Sequence, residues 1–278
     1  HPEFADRKTT KNVDGVPTTG WFASDFTLRE IKTLRAKQTF PERPQQFNHR
    51  FQVPTLQEVI DLAQRASKRE GRTIGIYPET KHPTLHRQLG LPLERRLVRV
   101  LNRNGLDKKS SPVFIQSFEQ SNLKQLNTMT KVRLVQLVDA NDTDENGDPT
   151  YAPPFDRPYD WTVSGNPELQ SRTFGYFATD AGLDEVRTYA DGIGPWKVYI
   201  VGTFGGQVVK TTDLVQRAHA RGLLVHTWTF RSEQSRLADD YGGNPINEYL
   251  QFYELGVDGV FSDFPDDAFA ARELFWLN

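Results

Sequence analysis

The feature that most narrows what this chain can fold into is an alternation of short apolar runs with helix-patterned stretches. RTIGIYPE (72–79), PVFIQSF (112–118), VRLVQLV (132–138), DGIGP (191–195), LLVHTWTF (223–230) and GVDGVFSDFP (256–265) read as strands. Helices are expected over 55–71, 85–104, 119–128, 182–190, 211–222, 245–255 and 266–275. The first carries its own punctuation: Thr55 as N-cap, Glu58 completing a capping box, and Gly71 closing the helix. Strands joined by helical crossovers run parallel. Short continuous apolar runs suit strands covered on both faces.

Six such units could make an open doubly wound sheet or a barrel, and two features favour the barrel. Nearly every strand ends in polar residues (YPETK, QSFE, DAND, HTWTFR, SDFPD), as the loops at one rim of an α/β barrel do. No glycine-rich phosphate loop follows any strand, whereas nucleotide-binding open sheets usually carry one. The expected fold class is therefore α/β, a TIM (β/α)8 barrel, in one domain over 1–278. A loop insertion around 139–180, dense in Asp, Pro and Tyr, is expected on one rim. Only about six of eight βα units are visible. HPEFADRKTTKNVDG at the start reads as the middle of a loop, so the first two strands are expected ahead of His1.

Composition removes several function classes. No apolar run approaches the ~20 residues that a membrane helix needs. Lys plus Arg number 34 against 36 Asp plus Glu, so the basic footprint of a nucleic-acid binder is missing. With no cysteine, disulfides, thiolate nucleophiles and thiolate metal sites are excluded. Eighteen Phe, nine Tyr and five Trp argue against a disordered chain. No HExxH, GxSxG or GxxxxGKS string is present, and no two carboxylates at one strand end form an obvious glycosidase pair.

Three strand ends carry candidate chemistry. In Tyr77-Pro78-Glu79-Thr80-Lys81, residues two apart point to one side, so a metal-bound carboxylate and a phosphate-binding ammonium can share a site. The plain alternative is a surface ion pair. Gln116 and Phe118 share a strand face and suit a substrate wall. His226 and Trp228 share another, giving an indole wall and a hydrogen-bonding imidazole at a pocket mouth, or else a packed Trp and a satisfied interior His. The acidic string Asp142-x-Asp144-x-Asn146-Gly147 opens like a calcium loop, but Pro153 stands at its twelfth position, so a solvated loop is expected. Asp263 is read as holding the barrel's end or lining the site, and Asp266 as a helix N-terminal acid. His82 and His86 lie one turn apart with Pro83 between them, which disfavours joint metal binding. His49-Arg50 reads as incidental.

Taken in order, GIYPETK (75–81), FIQSFE (114–119), LVQLVD (134–139), YADGIGP (189–195), LLVHTWTFR (223–231) and GVDGVFSDFPD (256–266) resemble the glycerophosphodiester phosphodiesterases, in their larger, often secreted bacterial branch. DFTLREIKTLRA (25–36) looks like the helix after that family's early catalytic hairpin. The resemblance implies a TIM barrel that hydrolyses glycerophosphodiesters, such as glycerophosphocholine, to glycerol 3-phosphate and an alcohol. It implies a divalent metal, Ca²⁺ or Mg²⁺, held by three carboxylates. Glu79 would be the third of these and Lys81 a phosphate contact. Gln116, Phe118 and Trp228 would line the substrate pocket, with His226 beside it. The family's two acid–base histidines and its other two carboxylates have no counterpart here, and His1 stands in for neither. They are expected upstream of His1, and the chain alone is expected to be inactive. The partner implied is a small-molecule diester, with no nucleic acid and no transmembrane segment. The branch implies an extracellular or periplasmic location. Alternatives are a non-catalytic barrel that binds such diesters or a partner, and a phospholipase D-like lipid phosphodiesterase. The acidic loop at 139–160 argues against the last of these.

Overall fold

A computed structural model describes residues 1–277. Five strands form one parallel sheet: β1 (Phe114–Ser117), β2 (Arg133–Val138), β3 (Gly192–Pro195), β4 (Leu224–Phe230) and β5 (Gly259–Ser262). Each lies beside its neighbour in chain order, as successive crossovers of one hand produce. The 72–79 run extends this sheet beyond β1 but pairs only at two bridges, Ile76 with Val113 and Glu79 with Gln116. Pro78 has no amide to donate and only accepts, from the Gln116 N–H at 3.0 Å. Gly75 allows the close approach, since a Cβ there would lie 2.6 Å from the Pro112 carbonyl oxygen. Tyr77 on this edge meets Phe261 of β5 with ring centroids 4.9 Å apart. The sheet therefore curls until its two edges face each other, as in an α/β barrel.

Helices Gln120–Met129, Asp180–Val186, Leu214–His219 and Pro245–Glu254 cover the sheet's outer face. Their apolar sides, including Leu123, Leu183, Leu214 and Phe252, join one continuous core with Ile115, Leu134 and Val225 of the strands. The expected helix over 85–104 is two helices, Pro83–Gln88 and Glu94–Arg103. Gly90 at φ +70° and Pro92 break it between them. The expected helix in 25–36 is one capped turn, Leu28–Ile31.

Two expectations are overturned. The opening residues are not a loop: Pro2–Arg7 form a 3-10 helix, and Thr9–Val13 pairs with Val16–Gly20 as a hairpin. Asp14-Gly15 turns it at φ +48° and +90°, the backbone that a two-residue hairpin loop of this kind demands. Gly205-Gly206 closes a second unexpected hairpin, Val201–Phe204 with Gln207–Thr211, in the same way. The 139–180 insertion, expected as a long loop on one rim, carries more structure than a loop. It folds into a small ladder (Asp142–Thr143 with Pro149–Thr150), short helices Tyr159–Thr162 and Pro167–Ser171, and a 3-10 segment Phe174–Ala178. Trp161, Phe174 and Phe177 from this segment lie in the main core. The contact is tight enough that a Cβ on Gly182 would fall 1.9 Å from the Tyr176 carbonyl oxygen. No helix among the described residues is long and apolar enough to cross a membrane.

Candidate active site

The C-terminal ends of the strands carry a cleft of about 240 Å³. Glu79, Lys81, Gln116, Phe118 and Trp228 line it, over a floor of Leu137 and Phe261. Strand alternation explains the gathering: Glu79 bridges to Gln116, while Gln116 and Trp228 both face the interior of the curl. The 79–81 turn is pinned at Thr80. Its N–H donates to the Gln116 carbonyl at 3.0 Å, its hydroxyl to Asn122 Oδ1 at 2.6 Å, and its carbonyl accepts from the Ser117 hydroxyl at 3.1 Å. Trp228 is held by its indole N–H, which donates to the Gly194 carbonyl at 2.7 Å, and by edge-on contact with Phe118 at 5.8 Å. Gln116 is only 8% exposed, and its Oε1 has no hydrogen-bond partner. A buried acceptor left open costs stability unless a ligand satisfies it, and this one borders the cleft.

Of the two places expected for His226, the structure gives it that of a satisfied interior histidine, and it is not among the residues that line the cleft. It is 7% exposed and lies one layer below the cleft floor, hydrogen-bonded through Nδ1 to the Tyr77 hydroxyl at 2.7 Å. The ring stands edge-on to Phe114 at 4.8 Å. It fits because β5 offers Gly259 opposite, where a Cβ would come within 3.0 Å of His226 Cδ2. Burial, reinforced by the Arg133 charge and opposed by Asp258, pushes its pKa down to about 4 from an ordinary 6.5. The unfolded chain therefore binds a proton between those values that the folded chain refuses. Stability is full above pH 6.5 and falls as pH drops toward 4, by about 3 kcal/mol for this group. Urea melts of the parent and His226→Asn should diverge across that window, the variant losing less stability on acidification. Parallel curves would contradict this placement.

A second cleft of about 170 Å³ adjoins the first and shares Lys81 and Phe118 with it. It brings in Asp14, His82, Glu119 and Asp139. None of these four was singled out from sequence as a site residue. Glu119 and Asp139 end the FIQSFE and LVQLVD strings, a signal that was available, whereas Asp14 depends on a hairpin that was not foreseen. Burial raises the Glu119 pKa to about 7, opposed by the hydrogen bond from the Thr84 hydroxyl. Burial also raises that of Asp139, against its backbone bond to Ala140 and the Lys81 charge. His82 Nδ1 meets Asp14 Oδ2 at 2.6 Å. His86 bonds instead to the His82 carbonyl, so the two histidines do not converge.

The first cleft supplies few of the donors that a divalent ion needs. Such an ion takes about six to eight oxygens as Ca²⁺, or about six as Mg²⁺. The cleft offers the Glu79 carboxylate and the open Gln116 Oε1, and no group of three or more His, Asp, Glu or Cys gathers among the described residues. This donor set does not fit the ion by itself, and no step is derived through it. The 142–147 loop spends its carboxylates on its own turn: Asp144 accepts from the Asn146 and Asp148 amides at 2.9 Å each, and Asp148 pairs with Lys210. Asp263 accepts a hydrogen bond from Arg231 Nε and forms an ion pair with the Arg43 guanidinium, both at 2.9 Å, and so anchors the rim rather than lining the cleft.

A curled parallel sheet with its polar side chains gathered at the C-terminal rim defines the α/β-barrel class of enzyme. Residues 1–267 match the glycerophosphoryl diester phosphodiesterase family. Glycerophosphodiester phosphodiesterase GDPD6 of Arabidopsis thaliana is 37% identical over 287 residues, covering 99% of this chain and 70% of that relative. A glycerophosphodiester phosphodiesterase of Haemophilus influenzae is 27% identical, covering 88% of this chain and 68% of its own length. Among solved structures, a protein described as a glycerophosphoryl diester phosphodiesterase from Silicibacter pomeroyi aligns with a TM-score of 0.59 at 17% identity, over 96% of this chain and 76% of that one. At that identity the likeness is one of fold. This chain belongs to the glycerophosphoryl diester phosphodiesterase family, and its enzyme class is that of the phosphodiester hydrolases. Its relatives are plant as well as bacterial, so the likeness is not confined to a bacterial branch.

Proposed function

We propose that the Glu79–Lys81–Gln116–Trp228 cleft is where this chain's family reaction occurs. The reaction is hydrolysis of a glycerophosphodiester to glycerol 3-phosphate and an alcohol. Water adds across the ester P–O bond and the departing alkoxide takes a proton. The observation that carries the reading is the open, buried Gln116 Oε1 beside an ammonium and an indole in one cleft. Lys81 meets the phosphate anion and stabilises charge on its oxygens. Gln116 Oε1 accepts from a glycerol hydroxyl. Trp228 and Phe118 wall the carbon skeleton and exclude water.

Glu79 is read as one ligand of a divalent ion, Ca²⁺ or Mg²⁺, whose chemistry is to polarise the phosphoryl group when bound. The chain spans 70% and 68% of the two relatives' lengths. An extracellular or periplasmic location is part of the same proposal, and fractionation of the producing cell decides it. The function itself is tested by ³¹P NMR of glycerophosphocholine incubated with the full natural polypeptide. The diester resonance should give way to that of glycerol 3-phosphate. An unchanged spectrum, with the diester bound, would favour the non-catalytic barrel; release of phosphocholine instead would contradict the bond assigned.

A further inference from the structure

A phosphodiester has one anion and two arms, and this rim has two clefts that share one ammonium, Lys81. The clefts differ in chemistry. The Gln116 side presents an open acceptor suited to hydroxyls. The other is walled by Phe118, Phe155, Tyr159 and Phe174 and holds the Asp139 carboxylate. Phe118 and Phe174 pack edge to face at 5.9 Å as part of its wall. Phe155 is 51% exposed and lies at the mouth of this cleft.

The charges of this second cleft are mostly committed. Arg157 Nε donates to Asp156 at 3.0 Å, His82 is paired with Asp14 at 2.6 Å, and Glu119 accepts from Thr84. Asp139 differs: its side chain accepts only from the amide of its neighbour Ala140, at 2.9 Å. A carboxylate with room for a cation, next to several aromatic faces, is the arrangement that recognises an alkylammonium group. Lys81 and Asp139 then form a positive–negative pair that matches a zwitterion with phosphate at one end and ammonium at the other.

The geometry points to the second cleft as a subsite for the alcohol arm, selective for a cationic amino-alcohol headgroup, with Asp139 and the Phe118, Phe155, Tyr159 and Phe174 rings as its specificity residues. This rests on the proposed glycerophosphodiesterase reading. It deepens that reading by giving the headgroup a place and a charge. The glycerol arm occupies the Gln116 side, and the phosphate lies at Lys81 between them.

The test compares the full natural polypeptide on glycerophosphocholine and on glycerophosphoglycerol, whose headgroup is neutral. The kcat/KM ratio should favour the choline diester by about tenfold, the scale of a desolvated cation–aromatic contact plus an ion pair. Asp139→Asn should collapse that ratio mainly through KM for the choline diester, and Phe155→Ala should lower it severalfold. Should Asp139→Asn fail to fold, Phe155→Ala, exposed at the cleft mouth, still decides. Independently of turnover, calorimetric titration with choline chloride should show binding to the parent and none to Asp139→Asn. A ratio near one, or a ratio unmoved by both variants, overturns the subsite. A protein that hydrolyses neither diester but binds choline loses the proposed reaction and keeps the subsite. A protein that hydrolyses both equally and ignores choline keeps the reaction and loses the subsite.

Discussion

Replacing Glu79 by Gln in the full natural polypeptide will lower kcat/KM for a glycerophosphodiester by about a thousandfold or more, the scale seen when a principal electrostatic group of a phosphoryl site is removed. The substitution keeps the shape of the side chain and removes its charge. Glu79 is exposed at the cleft and bridges to Gln116 only through its backbone, so the sheet does not depend on its carboxylate. Unfolding free energy should therefore change by less than about 0.5 kcal/mol, as for surface substitutions generally. Calorimetric affinity for Ca²⁺ or Mg²⁺ should fall with the activity. Activity within threefold of the parent would remove Glu79 from the site. Lost activity together with lost stability would show instead that Glu79 is a structural residue.

The second large effect is on stability. Trp161→Ala should cost about 3–5 kcal/mol, the range for emptying a buried indole site. Trp161 belongs to the 139–180 insertion yet is 1% exposed, lies 4.8 Å from Phe177 by ring centroids, and donates its indole N–H to Gln120 Oε1 at 3.1 Å. Removing it opens a cavity against helix Gln120–Met129 and leaves a buried acceptor without its donor. Urea denaturation read by circular dichroism measures the loss. A cost under about 1 kcal/mol would mean that the insertion rides on the barrel as a surface loop. A cost in the predicted range makes it part of the core.

That insertion marks where sequence reasoning runs out. Its Asp and Pro density looks solvated, and its aromatics follow neither a 2-residue nor a 3.6-residue period, so no pattern shows that they turn inward. The strands were legible for the opposite reason. Continuous apolar runs bounded by polar ends located all five strands of the parallel sheet, although β5 is shorter than the run that contains it. Only the 72–79 run fell short of a full strand, at the proline that cannot donate. The hairpins at 9–20 and 201–211 were signalled by Asp14-Gly15 and Gly205-Gly206, pairs that favour tight turns. The strands of the first hairpin are mostly polar, so no apolar run marks them.

The site divides along the same line. Alternation along a strand tells which face a residue shares, and it placed Glu79, Lys81, Gln116, Phe118 and Trp228 around one cleft. Alternation does not tell depth. His226 shares its face with Trp228 but sits a layer lower, bonded to Tyr77, and only the curl that brings Tyr77 across to β5 reveals this. Glu119 and Asp139 needed tertiary information of another kind: the docking of helix Pro83–Gln88 and of the insertion, which together wall the second cleft.

Lys81 stands at the junction of both clefts, so its removal tests most directly whether this rim binds a phosphodiester. In steady-state release of glycerol 3-phosphate from glycerophosphocholine, measured on the full natural polypeptide, Lys81→Met should lower kcat/KM about a hundredfold, with glycerol 3-phosphate itself losing its power as a competitive inhibitor. A Lys81→Met protein that keeps the parent's kcat/KM and the parent's inhibition by glycerol 3-phosphate would contradict the account and place the phosphate elsewhere.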